Sequence, residues 1–369
     1  MILGALAGPV LGGTVHAGTG LGDTGLGDTL LADVVLAVMW VGLTAYALLG
    51  GADFGGGWWD LLAGGAKRGE PQRTLIEHSI GPVWEANHVW LIFVLVTLWT
   101  GFPAAFAAIM STLYVPLTLA AFGVILRGSA FAFRKAVSTV AMKRLFGATF
   151  ALSSVITPFF LGTVAGAVAS GRVPPGNARG DAVGSWLNPT SVLGGTLAVG
   201  VCAYLAAVYL CRDSLRDGHT DLADGFRARA LGTGVAVGVV ALAGVFVLRA
   251  DAPRLFDGLT GRALPLMLAS GVAGVASLWL LWRRRYGVAR VTSALAVTAV
   301  LWGWGVGQYP YLLEPAFTVE EAAASPAALR PLLVTMVVAG ILVVPSLLLL
   351  IALFQRRDPE QETQPVQAK

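Results

Sequence analysis

Long runs without a charged residue alternate along this 369-residue chain with short clusters rich in Lys, Arg, Gly and Pro. Charge-free or nearly charge-free windows cover 34–52, 89–126, 145–171, 182–211, 230–248, 263–282, 291–313 and 331–355. A helix needs about 20 apolar residues to cross the hydrocarbon of a bilayer. Most windows therefore hold one span, and the window 89–126 holds two, broken at Thr100-Gly101-Phe102-Pro103 where Gly and Pro interrupt a helix. The pattern predicts nine spans, at roughly 31–50, 81–100, 110–133, 146–169, 191–211, 230–248, 263–283, 291–309 and 331–354. Lipid offers the backbone no hydrogen-bond partner, so only helices or a closed barrel can cross it, and apolar runs of this length contradict a barrel. The expected architecture is all-α, a polytopic bundle of about nine transmembrane helices.

Composition agrees with the pattern. The chain is 56% hydrophobic and 12% charged, whereas soluble domains carry about 25% charged residues. A soluble enzyme and a nucleic-acid partner are both excluded from the expectation. Cys202 and Cys211 sit in one apolar run, which suits neither a disulfide framework nor a metal site. The Lys and Arg residues set the expected orientation. With the N-terminus outside, eighteen of the 25 fall in inward segments, six in outward ones, and Arg127 alone lies inside a span. That bias predicts an outer N-terminus and a cytoplasmic C-terminus. Residues 1–30 hold no Lys or Arg, hence no positive region of a secretory signal, and read as an outer tail of little order. Residues 31–355 read as a single transmembrane domain, two four-helix groups plus a last helix, and 356–369 as a cytoplasmic tail.

Ionisable residues in or beside spans carry the chemistry, because each costs roughly 2.5–3.5 kcal/mol at a helix centre. They cluster early. Asp53 lies in Gly50-Gly51-Ala52-Asp53-Phe54-Gly55 after the first span; Glu85 and His88 lie in the first turns of the second; Arg127 lies near the end of the third. The predicted orientation puts all four in the cytoplasmic half. Glu85 and His88 are three apart and share a helix face, with Asn87 beside them and Trp84 and Trp90 flanking, so a carboxylate and an imidazole could pass a proton. Other readings compete residue by residue. Asp53 could cap a short interfacial helix through Trp58, Trp59 and Asp60. Arg127 could snorkel to the interface beside Arg134. His88 could be a hydrogen-bonded structural residue. Glu77 and His78 read as solvated.

Membrane redox proteins hold haem through His or Met on facing helices. The four histidines are His16 in the tail, His78 at a boundary, His219 in a loop and His88 in a span, so bis-His ligation within this chain is not expected. Gly-rich phosphate loops, Cys clusters and nucleophile motifs do not occur.

Three ordered motifs resemble those of subunit II of the bd-type cytochrome quinol oxidases: Gly51-Ala52-Asp53-Phe54-Gly55; Ser79-Ile80-Gly81-Pro82-Val83-Trp84-Glu85-Ala86-Asn87-His88-Val89-Trp90-Leu91; and Leu126-Arg127-Gly128-Ser129-Ala130-Phe131-Ala132-Phe133-Arg134. A weaker fourth is Gly303-Trp304-Gly305-Val306-Gly307-Gln308-Tyr309-Pro310. The resemblance implies a heterodimeric oxidase of a bacterial plasma membrane that oxidises quinol and reduces dioxygen to water. It implies that haem b and haem d sit in subunit I, with the quinol site, and that a small accessory subunit can join. Subunit II would be the haem-poor partner, inactive alone, that contributes to a cytoplasmic proton path. By the same resemblance Glu85 and Asp53 match acidic path positions and Arg127 matches a third-helix arginine, with Asn87 and Trp84 beside them. Gly50 stands where many members carry a further acid, and His88 where others carry Gln or Glu, so His88 is a candidate substitute relay. Two other classes fit intramembrane charges: a secondary transporter with an acidic site, and a purely structural assembly subunit.

Overall fold

The computed structural model describes residues 26–65, 68–80, 84–137 and 139–355. The first membrane helix is longer than its apolar window. It runs as α1 (Leu26–Ala45), a π-helical turn (Tyr46–Gly50) and α2 (Gly51–Leu61) without a break, a span of 35 residues from Gly27 to Leu61. Two expectations change with it. Residues 26–30 of the expected tail are helical, and Asp53 lies within the helix, seven residues beyond the start of the π turn. Residues 1–25 and 356–369, expected as tails, lie outside the described residues.

The bundle continues through α3 (Glu70–Ile80), α4 (Trp84–Gly101), α5 (Pro103–Thr112), α6 (Tyr114–Ala136), α7 (Val140–Ala169) and α8 (Pro189–Arg216). It is completed by α9 (Thr220–Asp251), α10 (Pro253–Thr260), α11 (Leu264–Trp282), α12 (Tyr286–Gln308), the strands β1 (Tyr311–Leu313) and β2 (Phe317–Thr318), α13 (Val319–Ala322) and α14 (Pro326–Gln355). Eight described helices are long and apolar enough to span, or nine if the bent α4–α5 pair is counted as one span. That pair turns through 119° at the expected break. Phe102 leaves the helical region (φ −137°, ψ 60°) and Pro103 takes the first helical position of α5, where its missing N–H costs nothing. The span expected at 110–133 begins in the structure at Tyr114, where Leu113 separates α6 from α5.

Glycines decide how closely the early helices approach. A Cβ on Gly55 would fall onto the Cys202 carbonyl of α8 and within 2.6 Å of the Ala206 Cβ, and one on Gly57 would overlap the Ser154 hydroxyl of α7. α2 is therefore wedged between α7 and α8, with Trp59 Nε1 donating to the Ala203 carbonyl at 2.8 Å. One apolar core gathers Val208, Leu210, Phe226 and Leu281; a second gathers Val35, Phe102, Leu113, Leu313 and Leu329. The opposite pattern covers α9 and α11, whose Leu242, Phe246 and Val272 are exposed, as a helix facing lipid requires.

At the end of the bundle carrying α5 and α10, connections are tied by charge. Arg172 grips Asp251 through two nitrogens at 3.0 and 2.6 Å, and Thr190 Oγ1 donates to the same carboxylate at 2.6 Å. The β1–β2 hairpin pairs Tyr311 with Thr318 and Leu313 with Phe317, and Thr318 with Glu321 closes a capping box on α13.

Candidate functional site

The helical π turn and the glycines behind it bring three of the predicted residues together. Asp53 is enclosed by α4, α6, α7 and α8 and keeps only 5% of its surface exposed. Asn87, also 5% exposed, donates from Nδ2 to Asp53 Oδ2 and reaches the Leu49 carbonyl at 3.4 Å. Arg127, 1% exposed, donates from Nη2 to the Asp53 carbonyl oxygen at 2.8 Å. Its guanidinium lies 4.7 Å from the Phe54 ring centroid and 5.0 Å from that of Phe150, so aromatic faces share its charge.

Two alternative readings end here. Arg127 does not snorkel toward an interface: its whole side chain is enclosed, and its partners are the Asp53 carbonyl and two rings. Asp53 does not cap a helix start, because its carboxylate is engaged by Asn87 across to α4.

The other predicted residues distribute around this centre. Glu85, in the first turn of α4, is exposed. His88, one turn further on, is half-buried and turned inward, its ring 6.0 Å from Phe54 and 6.2 Å from Tyr46. The α4 helix thus presents an accessible carboxylate at its start, while Asn87 and His88 face the Asp53 pocket. The Trp84 side chain and the Gly81-Pro82-Val83 segment lie outside what is described. Of the remaining histidines, His78 and His219 are exposed and His16 lies outside the described residues. Among the described residues, no three His, Cys, Asp or Glu side chains gather as a metal site would need.

Two residues escaped the sequence reading as parts of this centre. Asp60 is buried between Arg134, whose Nη1 donates to Oδ2 at 3.0 Å, and Arg73, whose Nε forms an ion pair with Oδ1 at 3.0 Å. Arg134 also reaches Glu77 at 3.1 Å, so Glu77 is an ion-pair partner and not merely a solvated residue. The seven-residue step from Asp53 to Asp60 places both on one helix face, a signal visible in the sequence. Tyr46, 7% exposed, stands edge-on to Phe54 at 6.4 Å and 82°. It also lines a cavity of about 580 Å³ between α1, α4, α7 and α12. That cavity is walled by apolar side chains such as Trp40, Leu91 and Leu98, and Asp33, Arg262 and Tyr309 stand at its other end.

Comparison with known proteins gives one consistent result. Residues 31–354 match the family described as cytochrome bd terminal oxidase subunit II. The chain is 27% identical over 185 residues to cytochrome bd ubiquinol oxidase subunit 2 of Bacillus subtilis (strain 168), covering 48% of this chain and 54% of the relative. It is 28% identical over 213 residues to cytochrome bd-I ubiquinol oxidase subunit 2 of Escherichia coli (strain K12), covering 56% and 54%. The chain thus spans about half the length of these curated relatives. A longer match, 22% identical over 333 residues, covers 86% of this chain and 94% of a putative cytochrome bd menaquinol oxidase subunit II of B. subtilis. Among solved structures, the bd oxidase from Geobacillus thermodenitrificans shares the fold with a TM-score of 0.69 at 24% identity, over 88% of this chain and 99% of that one.

Proposed function

The chain belongs to the cytochrome bd terminal oxidase subunit II family, and from that premise we propose that it completes a quinol oxidase of the bacterial plasma membrane and conducts protons into it. Its partner in this reading is the haem-bearing subunit I, which holds haem b, haem d and the quinol site; a small accessory subunit is compatible with it. This chain carries no haem of its own and no activity alone. Family membership leaves the secondary-transporter alternative without support.

The observation that carries the proton-path reading is the enclosed Asp53–Asn87–Arg127 cluster beside an exposed acid on the same helix as Asn87. A buried carboxylate is costly unless paired or hydrogen-bonded. Such a group persists where proton transfer or packing needs it. Reduction of dioxygen to water consumes protons that must come from water at the membrane surface. Glu85 is placed to collect a proton, and His88 and Asp53 to receive it in turn, since imidazole and carboxylate both bind and release protons. Asn87 orients the Asp53 carboxylate through its amide. Arg127 stays protonated throughout, because a guanidinium does not lose its proton in a protein, and it fixes the Asp53 backbone through its carbonyl oxygen.

The structural-assembly reading is the competitor, favoured by the same Arg127 contacts. Glu85→Gln and Asp53→Asn, made in the co-expressed complex, separate the two. Normal haem content with slow turnover supports the path; lost haem with unchanged turnover per haem supports assembly.

A further inference from the structure

Among the described residues, Tyr46 Oη and Arg127 Nε and Nη1 are buried with no hydrogen-bond partner. They surround one ring. Phe54 carries the Arg127 guanidinium 4.7 Å from its centroid and has Tyr46 edge-on at 6.4 Å. A buried polar group left unpaired costs roughly 1–3 kcal/mol, and folded proteins place ordered water at such clusters, bound by about three hydrogen bonds. The chemistry here is complementary. Arg127 offers only donors, Asp53 only acceptors when ionised, and the Tyr46 hydroxyl offers both.

The position of the ring is built into the backbone. Tyr46 opens the π turn Tyr46–Gly50, a geometry found frequently at functional sites. The ring lies over Gly50, where an added Cβ would come within 2.9 Å of Cε2 and 3.0 Å of Cδ2. Gly50 is thus the residue whose missing side chain admits the tyrosine. Tyr46 also lines the apolar cavity, so the residue stands between the charged pocket and an apolar interior.

We propose that Tyr46 is a further proton-relay residue, its hydroxyl and the Arg127 guanidinium holding ordered water against Asp53. The inference rests on the proton-path reading above and deepens it. In the transfer step protonated Asp53 gives its carboxyl proton to the bridging water, that water passes one of its own protons to a lone pair of Oη, and the Tyr46 O–H bond breaks toward a second water in the cavity that Tyr46 lines, leaving Asp53 as carboxylate and the bridging water restored. One proton moves, no electron moves, and the phenol ends neutral. Arg127 orients the water and keeps its own protons.

The test is Tyr46→Phe in the co-expressed complex, which keeps the ring and removes only the hydroxyl. Haem content and the KM for quinol are expected to stay unchanged, kcat to fall on the order of tenfold or more, and the solvent deuterium isotope effect on kcat to rise. Wild-type kcat with a wild-type isotope effect overturns the proposal. Asp53→Asn in parallel separates the two claims: slow turnover there with normal turnover in Tyr46→Phe sinks the tyrosine alone, whereas normal turnover in both sinks the path itself. Thermal unfolding adds an independent arm. A dry, unpaired hydroxyl predicts that Tyr46→Phe stabilises the protein, a result that overturns the water-holding role; a lowered midpoint supports it. Should Tyr46→Phe fail to assemble, Gly50→Ala decides, because its Cβ displaces the ring: slowed turnover with a raised isotope effect supports the relay, and wild-type kinetics overturn it.

Discussion

Replacing Asp60 by Asn tests whether the buried charge network at one end of α2 holds α3 and α6 against it. Asp60 is enclosed, with 4% of its side chain exposed, between Arg134 and Arg73, whose side chains are 18% and 23% exposed. Arg134 makes an aligned hydrogen bond to Oδ2 at 3.0 Å; a hydrogen bond to a charged group contributes about 1.5–3 kcal/mol. The Arg73 contact at 3.0 Å is an ion pair off hydrogen-bond alignment, and partly exposed pairs contribute about 0.2–1 kcal/mol. Neither arginine is stranded by the substitution. Arg73 keeps the Gly64 carbonyl at 2.5 Å, Arg134 keeps Glu77 at 3.1 Å, and both reach water. The net loss is about 2–4 kcal/mol, most of it at the contact of α2 with α6, where Arg134 lies, and only the Arg73 part, about 0.2–1 kcal/mol, at the contact with α3. At 1.4 kcal/mol per factor of ten, the unfolding constant is expected to rise roughly thirty- to several-hundred-fold, read as a lowered thermal midpoint in detergent, while amide-exchange protection in α3 falls by no more than about fivefold. An unchanged midpoint would refute the clamp.

Gly55→Ala drives a methyl into the Cys202 carbonyl and against Ala206; overpacking of about 1–3 kcal/mol is expected to lower the thermal midpoint in detergent, and an unchanged midpoint would show that α2 and α8 can separate freely. Arg127→Lys keeps the charge but loses the fork that reaches the Asp53 carbonyl; a loss of about 1.5–3 kcal/mol and slower turnover per haem are expected, and a lysine variant matching wild type in both would discount that geometry. Glu314, outside the spans and 7% exposed, has its carboxyl pushed up by burial, with Arg254 and Arg262 opposing. A raised folded pKa means that stability present in acid is lost as pH climbs through it. Glu314→Gln is therefore expected to flatten the pH dependence of the thermal midpoint, and parallel wild-type and variant curves would contradict this.

Run length alone made the membrane helices legible, because lipid accepts only helices of sufficient apolar length and the break at Gly101-Phe102-Pro103 follows from local backbone preference. The early clustering of Asp53, Glu85, His88 and Arg127 was equally plain, since charge is scarce in such a chain and stands out wherever it occurs. What each charge touches was not legible. Arg127 as a snorkelling side chain and Arg127 as an enclosed one have the same sequence; the difference lies in α6 packing against α7 and α2 so that Phe54 and Phe150 close over the guanidinium. Asp53 read as a residue after the span because hydropathy falls at Gly50, yet the helix continues through a π turn to Leu61, where glycines pack against α7 and α8 instead of facing lipid. Asp60 looked like an interfacial residue until α3 and α6 supplied its arginines, and nothing in the sequence singled out Tyr46, whose enclosure is a product of packing. Periodicity and composition describe a helix by itself, whereas the partner of a buried charge depends on the register and separation of neighbouring helices, which here are set by contacts of Gly55 and Gly57 with residues about 150 and 100 positions away.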